Sequence, residues 1–274
     1  MSNNTVINAN TNPDLANKLA SDAMALGDQE AMIKAEPPKI TLPPDTSVEL
    51  AGGLYDPFNG MITTAEVREL TGIDEEAISK INDPGKALLN ILERATVLIG
   101  EEKATKELLD AMFAGDRELL LLAIRKVTFG TEVTVGPGRC PACDEEQTFV
   151  IDLDKDVKIK KLDGDREFTV KCKVGNVVVT LPKGGTQRAI VDSVNKTTAE
   201  LDTILLKNAV LSINGEDVIN PEVVRNLGMK DRRTILEEIT NRNPGPQLSQ
   251  IKKECTSCGS EVPLPLTLAD LFRE

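Results

Sequence analysis

The sequence contains no histidine and no tryptophan, and aromatic residues make up only 3% of its 274 residues. The absence of histidine excludes Ser-His-Asp and Cys-His catalytic pairs, a histidine general base, and every metal site that needs an imidazole ligand. Hydrophobic residues nevertheless reach 40%, so we expect cores built from Leu, Ile, Val and Ala. The length fits two domains of ordinary size.

Basic residues and long apolar runs are also scarce. Lys and Arg number 32 against 44 Asp and Glu, which gives a net charge of −12 and a pI near 4.7. Such a surface repels phosphate backbones, so we do not expect a nucleic acid partner. The longest apolar run covers residues 119–124, far short of the roughly 20 residues of a membrane span. We therefore expect a soluble protein, without a membrane partner, made in a reducing compartment.

The chain contains an internal repeat. Ala95 aligns with Ala209 at an offset of 114, and after one extra residue (Asn214) Asp116 aligns with Asp231 at an offset of 115. Two CxxC motifs keep the second offset, and the first copy carries an extra segment at residues 52–64. We interpret the chain as a tandem duplication whose copies are related by a rotation near 180°. The predicted boundaries are residues 1–37 for an N-terminal arm, 38–155 for the first copy and 156–274 for the second.

The fold class that we predict is α+β, because helices and short strands do not alternate as βαβ units. Each copy is expected to begin with a strand and a helix, followed by a longer helix with buried positions three and four residues apart, such as Leu88, Leu92 and Ala95 in the first copy. The copy is completed by a short helix, a helix N-capped by Asp116 or Asp231, a CxxC motif and a short strand. The predicted helices include residues 64–70, 74–81 and 106–113 in the first copy and 187–194 and 221–227 in the second. Between the copies, a hairpin should turn at Asp163-Gly164.

Both ends of the chain carry apolar residues at helical spacing outside the repeat. In the arm, residues 13–32 place Leu15, Leu19 and Leu26 on one stripe, and in the tail, residues 266–274 include Leu268, Leu271 and Phe272 at helical spacing. A stripe without a core of its own needs a surface to cover, so we predict that both ends dock onto neighbouring proteins.

The cysteines predict a metal site. Cys140 and Cys143 form one CxxC, Cys255 and Cys258 form the other, and two such turns supply the four thiolates of a structural zinc site. Copies related by a twofold axis can bring equivalent turns together on the axis, so we predict one zinc per chain. A redox-active CxxC, a pair of disulfides and a rubredoxin-like iron site are the less favoured alternatives. Cys172 has no partner at motif spacing and is expected to be a free thiol that is at least half-buried.

No set of residues in the sequence predicts catalysis. A closed four-cysteine site leaves no coordination position for a substrate, so it indicates stability rather than reactivity. Runs of carboxylates such as residues 74–76 are expected to be solvated, and Arg117 and Arg232 are expected to form surface pairs with their neighbours. We therefore predict no enzyme, no catalytic residues and no cofactor-binding residues apart from the metal ligands.

Several of these segments resemble a known family. The stretches ILERATVLIG, ELLDAMFAGDRELLLLAIRKVTFG and CPACDEE, followed by a second copy ending in CTSCG and by the tail ADLFRE, are similar to baseplate proteins of T4-type contractile-tailed bacteriophages. The resemblance runs from about residue 41 to the C-terminus, and residues 114–125 followed by a CxxC carry most of it. It implies a non-enzymatic structural role in the baseplate hub or inner baseplate, within a hetero-oligomeric assembly of baseplate and tail proteins. The protein would be assembled in the host cytoplasm and retained in the virion tail. The alternative is an assembly chaperone that is absent from the finished particle.

Overall fold

The computed structural model describes residues 46–57, 60–193 and 195–272, together with helical residues 13–14, 17–18 and 21–22. Most of the predicted arm therefore lies outside the described residues. We refer to residues 46–155 as the first half and to residues 156–272 as the second half. Within these described ranges, none of the helices is both long and apolar enough to cross a bilayer.

The described chain mixes helices with antiparallel strands, in agreement with the predicted α+β class. The strands are β1 (Ser47–Asp56), β2 (Gly60–Val67), β3 (Thr96–Ile99), β4 (Glu102–Lys103), β5 (Glu132–Arg139), β6 (Glu146–Asp152), β7 (Ile159–Lys160), β8 (Glu167–Cys172), β9 (Gly175–Thr180), β10 (Val210–Ile213), β11 (Glu216–Asp217), β12 (Gly245–Pro246), β13 (Lys252–Glu254) and β14 (Glu261–Pro263). The α-helices are α1 (Gly72–Ile78), α2 (Pro84–Ala95), α3 (Lys106–Ala111), α4 (Ala114–Phe129), α5 (Gly184–Val191), α6 (Thr198–Ala209) and α7 (Met229–Arg242). Three short 3-10 helices cover Pro221–Asn226, Leu248–Gln250 and Asp270–Phe272.

Each half contains a four-stranded antiparallel sheet with its strands in chain order. The first sheet has the order β1-β2-β3-β4, and the second has the order β8-β9-β10-β11. In both halves two helices connect the second strand to the third, and the longer of these helices runs directly into that third strand. A short helix, a long helix and a hairpin then follow in both halves. The two halves thus repeat one order of elements.

The first hairpin differs in length from its counterpart. The β1–β2 register shifts between Glu49 and Leu54 and then continues through the pair Tyr55 and Met61. The extra residues of the first half therefore extend the β1–β2 hairpin, whose strands continue to pair after the register shift. In the second half the β8–β9 hairpin closes with Cys172 opposite Gly175. Its turn consists of Lys173 and Val174, directly after β8, so the predicted turn at Asp163-Gly164 is wrong.

The predicted helix over residues 64–70 is also wrong, because β2 continues to Val67. This strand lies between β1 and β3, and its buried side chains Ile62, Ala65 and Val67 face the core. The helix that follows begins at Gly72, where Thr71 and Asp74 form a capping box. The segment forms a strand because pairing on both sides satisfies its backbone and β-branched residues suit a pleated surface.

Asp116 and Asp231 are buried in the first turns of α4 and α7, but neither is the N-cap that we predicted. The N-cap positions are Phe113 and Gly228, which place both aspartates three residues into their helices. The carboxylate of Asp116 accepts a hydrogen bond from the Gly52 N–H at 2.9 Å. Asp116 therefore joins the N-terminus of α4 to the first hairpin of its own half, and Asp231 makes the equivalent connection in the second half.

Asp231 accepts hydrogen bonds from the backbone N–H groups of Lys173 (2.9 Å) and Val174 (3.1 Å) in the β8–β9 turn. Asp231→Ala should therefore lower the free energy of unfolding by about 2–3 kcal/mol, because two donors to a charged acceptor lose their partner. Urea denaturation at pH 7 measures the loss, and Glu237→Ala, on an exposed position of the same helix, is the matched control. Equal stability of both variants would contradict this role.

Asp74 is buried, so the prediction of a solvated carboxylate is wrong for this residue. It pairs with Arg68 at 2.6 Å and with Arg94 at 2.7 Å, and it also accepts the Thr71 N–H at 2.9 Å. These contacts hold the pKa of Asp74 well below its usual range, and the hydrogen bond from Arg68 makes the largest contribution to this shift. Asp74 thus fixes the start of α1 to both the end of β2 and the end of α2.

The depressed pKa of Asp74 predicts a dependence of stability on pH. A carboxyl whose pKa is lower in the folded chain than in the unfolded chain stabilises the fold above its unfolded pKa, near 3.9, and loses that contribution as the pH falls further. Asp74→Asn should therefore be less stable than the wild type at pH 7, and the difference should shrink below about pH 4. Urea midpoints at several pH values measure this. A difference that stayed constant down to about pH 2 would contradict it.

The larger of the two hydrophobic cores contains residues from both halves. Helices α2 and α4 pack with β1 and β2, and the end of the second half contributes to the same cluster. The residues from that end are Leu248, Ile251, Cys255, Val262, Leu264, Leu266 and Leu271. Leu271 is 1% exposed, and Arg125 donates a hydrogen bond to its carbonyl oxygen. The prediction that the tail docks onto a neighbouring protein is therefore wrong for the described residues 266–272, which pack on the chain's own core.

The two halves also meet at a polar contact. Arg188 of α5 forms hydrogen bonds to both carboxylate oxygens of Asp110 and an ion pair with Glu93 at 2.7 Å. Arg117 lies beside them at 1% exposure, so the prediction of a surface residue is wrong, and burial lowers its pKa to about 10. Arg232 is half-buried and donates to Thr203 of α6 at 2.8 Å. The repeated arginines thus connect helices rather than cover the surface.

Candidate metal centre

The four motif cysteines lie together, although 111 residues separate the two motifs in the sequence. Each offers one Sγ atom, and all four Sγ atoms lie within 4.8 Å of one another. Cys140 and Cys255 are buried, whereas Cys143 and Cys258 are exposed. The group is therefore open to solvent on one side and continuous with the larger core on the other.

Each pair of cysteines belongs to the turn of a hairpin. Cys140 and Cys143 follow β5 and precede β6, and Cys255 and Cys258 lie in the same way between β13 and β14. The residue after each second cysteine adopts a positive φ, 59° at Asp144 and 71° at Gly259. Four backbone hydrogen bonds of 2.9 Å close the turns: Cys140 N–H to Glu145 O, Asp144 N–H to Cys140 O, Cys255 N–H to Ser260 O, and Gly259 N–H to Cys255 O. The two turns thus share one backbone geometry.

The spacing of the sulfur atoms matches a tetrahedral thiolate site. The Sγ atoms of Cys140 and Cys258 are 3.7 Å apart, and those of Cys143 and Cys255 are also 3.7 Å apart. Four thiolates at about 2.3 Å from a tetrahedral zinc ion lie about 3.8 Å from one another. All five cysteines are free thiols in the structure, so neither pair forms the disulfide considered above. The four sulfurs are thus close enough together to hold one metal ion.

The polar environment favours thiolates at the second turn. The Cys258 N–H, with the Ser257 N–H and the Gln147 amide, lowers the pKa of Cys255 to about 6. The Ser260 side chain lowers the pKa of Cys258.

Cys143 shows the opposite shift. Its Sγ accepts a hydrogen bond from the Glu145 N–H, which favours the thiolate, but the neighbouring Cys258 sulfur, burial and the other two sulfurs raise its pKa to about 12. Four sulfurs this close cannot all be charged without a cation, because like charges at this distance repel strongly. The sulfur cluster therefore has the electrostatic character of a cation site.

Gln147 links the two turns, a role that no motif in the sequence indicates. Its side-chain amide donates to the Cys255 Sγ at 2.9 Å, and its Oε1 accepts from the Thr256 N–H (3.1 Å) and the Thr256 hydroxyl (2.9 Å). Gln147 lies on β6, directly after the first turn, so it connects the first half to the second. Such outer contacts orient metal ligands.

Cys172 lies at the end of β8, outside the group of four cysteines. It is a half-buried free thiol, as predicted, and desolvation raises its pKa. A raised pKa disfavours the thiolate, the form that binds metals and reacts as a nucleophile.

Comparisons with known proteins agree with the resemblance noted in the sequence. The family model described as T4 bacteriophage base plate protein matches residues 61–273. This match begins in β2 and includes both CxxC turns and the described tail. No curated protein and no solved structure matches the chain.

Proposed function

Because the chain belongs to the T4 bacteriophage base plate protein family, we propose that it is a structural component of the baseplate hub or inner baseplate of a contractile-tailed phage. As a member of this family it is a phage tail protein, and its partners are other baseplate or tail proteins. The family match over most of the chain is the observation that carries the proposal. Assembly into a hetero-oligomer takes place in the host cytoplasm, where thiols remain reduced.

The role that we propose is non-enzymatic and does not involve nucleic acid. The chain has no histidine, and its buried charged groups form structural contacts, such as the pair of Asp74 with Arg68 and the hydrogen bond from Gly52 to Asp116. The net charge of −12 opposes binding to a phosphate backbone. These features favour a building block over a catalyst.

One structural zinc ion per chain, bound by Cys140, Cys143, Cys255 and Cys258, holds the two halves together in this proposal. The support is the 3.7 Å spacing of the sulfurs, the zinc-ribbon-like hairpin turns and an all-thiolate ligand set. Iron remains the competing ion because it accepts the same four thiolates. A fully occupied tetrahedral site adds stability and leaves no open position for chemistry.

We further propose that the chain is a tandem duplication, with copies at residues 38–155 and 156–274 after an arm at residues 1–37. Support comes from the two sheets with the same strand order and from Asp116 and Asp231, which bind the first hairpin of their respective halves. A twofold rotation exchanges Cys140 with Cys255 and Cys143 with Cys258, so it requires the two cross-motif sulfur distances to be equal, as they are. The metal would then lie close to the axis.

Mass spectrometry of purified tails tests the retained structural role. We expect this protein in the finished particle, in a fixed ratio to other baseplate proteins. Detection in infected cells together with absence from finished tails would instead identify an assembly chaperone and contradict the proposal.

A further inference from the structure

The extension of the first hairpin exposes two large side chains that interfaces favour. Tyr55 and Met61 are directly opposite each other across β1 and β2, and they are 62% and 52% exposed. Tyr55 is the only tyrosine of a chain that has few aromatic residues. Tyrosine, methionine and arginine are enriched in protein interfaces, and tyrosine is frequent among the residues that dominate binding energy.

A groove of about 390 Å³ separates this hairpin from the second half. Its lining residues are Gly53, Leu54, Tyr55, Met61, Ala111, Phe113, Arg166 and Lys183. Phe113 is buried at 3% exposure, and the guanidinium of Arg166 lies 5.2 Å from the centre of its ring. Arg166 also donates to the Met61 sulfur at 2.8 Å. The groove thus has an apolar floor, and contacts to both halves fix its shape.

The charge of the groove is opposite to that of the chain. Its lining contains two cations, Arg166 and Lys183, and no carboxylate, although the whole chain carries −12. The buried carboxylate of Asp116 attracts Arg166 and offsets part of its charge. Lys183 is exposed, so it is the cation that is more available to a partner. A local cationic site on an anionic surface favours an anionic partner at this place.

We propose that this groove binds an extended, acidic segment of another baseplate protein. In such a complex an apolar side chain of the segment contacts Tyr55 and Phe113, and a carboxylate pairs with Lys183. The inference rests on the proposed function, because it takes the partner from the same assembly. A nucleic acid or the chain's own arm are the other occupants that an experiment has to distinguish.

Photocrosslinking in infected cells tests this proposal. The residue p-benzoylphenylalanine replaces Tyr55 in the full-length protein, and the crosslinked peptides are identified by mass spectrometry. We expect a crosslink to another baseplate protein, within a segment that contains Asp or Glu close to the crosslinked position. The proposal would be overturned by a crosslink to nucleic acid, to the chain's own arm or to a Lys- or Arg-rich segment. It would also be overturned if the probe at Tyr55 gave no higher crosslinking yield than the same probe at the exposed Ile73.

The second measurement is the affinity of the full chain for the crosslinked segment, made as a synthetic peptide. Tyr55→Ala and Lys183→Glu should each weaken its binding to the full chain by about tenfold or more. The matched controls are Ile73→Ala and Lys80→Glu, at exposed positions outside the groove lining. Equal affinities of test and control variants would overturn the proposal even if a crosslink forms. The crosslink forms in infected cells, before tails are purified. If the protein is absent from purified tails, the retained structural role is contradicted, but the crosslinking result still tests whether the groove binds an acidic segment.

Discussion

Replacement of Cys255 by serine should lower the free energy of unfolding by several kcal/mol. Structural zinc contributes roughly 10–16 kcal/mol to the folding of finger peptides, and a chain with its own cores should lose part of that amount. The loss should be large because Cys255 is 2% exposed within the larger core and its partners Cys140 and Cys143 belong to the other half. Thermal and urea unfolding of the purified full chain, with and without a chelator, measure the effect.

Cys172→Ser is the matched control, since Cys172 is a half-buried cysteine outside the group of four. We expect this variant to remain close to the wild type and to respond to the chelator as the wild type does. The Cys255→Ser variant should respond little to the chelator, because its metal site is already incomplete. Wild-type stability of Cys255→Ser, or an equal loss in both variants, would contradict a structural metal at this site.

Gly115→Ala should also cause a large loss of stability, of about 3 kcal/mol or more. Gly115 lies in the first turn of α4, where a Cβ atom would be 1.7 Å from the Pro244 carbonyl oxygen and 2.6 Å from its carbon. Both obstacles are backbone atoms of the second half, so relief requires the two halves to move apart. Urea denaturation measures the loss, and limited proteolysis shows whether the link between the halves becomes accessible.

Gly72→Ala provides the control, because Gly72 also lies in the first turn of a helix and no atom is within 4 Å of its added Cβ. We expect Gly72→Ala to be neutral or slightly stabilising, since alanine favours helices over glycine. If Gly115→Ala unfolds at the same urea concentration as Gly72→Ala, the close approach of α4 to Pro244 is not part of the folded protein in solution.

The sequence predicts the buried face of the long helix α2 well, whereas it predicts a helix where the end of β2 lies and misplaces the turn before β9. Leu92 and Ala95, predicted to face the core from their spacing, are 1% and 0% exposed on α2. The two central residues of the turn after Cys172 are Lys173 and Val174, and the glycine that favours the turn, Gly175, lies at its end. The backbone N–H groups of Lys173 and Val174 in this turn donate to Asp231, which lies on a helix 58 and 57 residues away in sequence. Local sequence patterns cannot predict contacts between residues that are so far apart in sequence.

The aspartates and the tail show a second limit of sequence patterns. An aspartate near a helix start can be an N-cap or an acceptor for another segment, and only the tertiary structure decides between them. Asp116 has the second role, because it accepts a hydrogen bond from Gly52 and is not the N-cap of α4. Similarly, the apolar spacing of Leu268 and Leu271 is the same whether the tail covers a partner or the chain's own core. Burial against the larger core distinguishes the two for the described residues.

At the candidate metal centre, the clustering of the four cysteines could be predicted from the sequence, but the contacts of Gln147 around them could not. The motif spacing and the repeat identify the four cysteines that the structure brings together. Gln147 carries no motif, and its contacts to Cys255 and Thr256 depend on how two separate hairpins approach each other. That approach is a consequence of packing between the halves, which the order of residues alone does not specify.

Native mass spectrometry of the full chain, combined with elemental analysis, tests the shared metal site most directly. We expect one zinc ion per chain in the wild type and in Cys172→Ser, and no tightly bound ion when either Cys140 or Cys255 is replaced by serine. A loss in both variants is required because the two residues come from different halves but bind the same ion. A wild-type chain with no metal, with two ions or with iron would contradict the account.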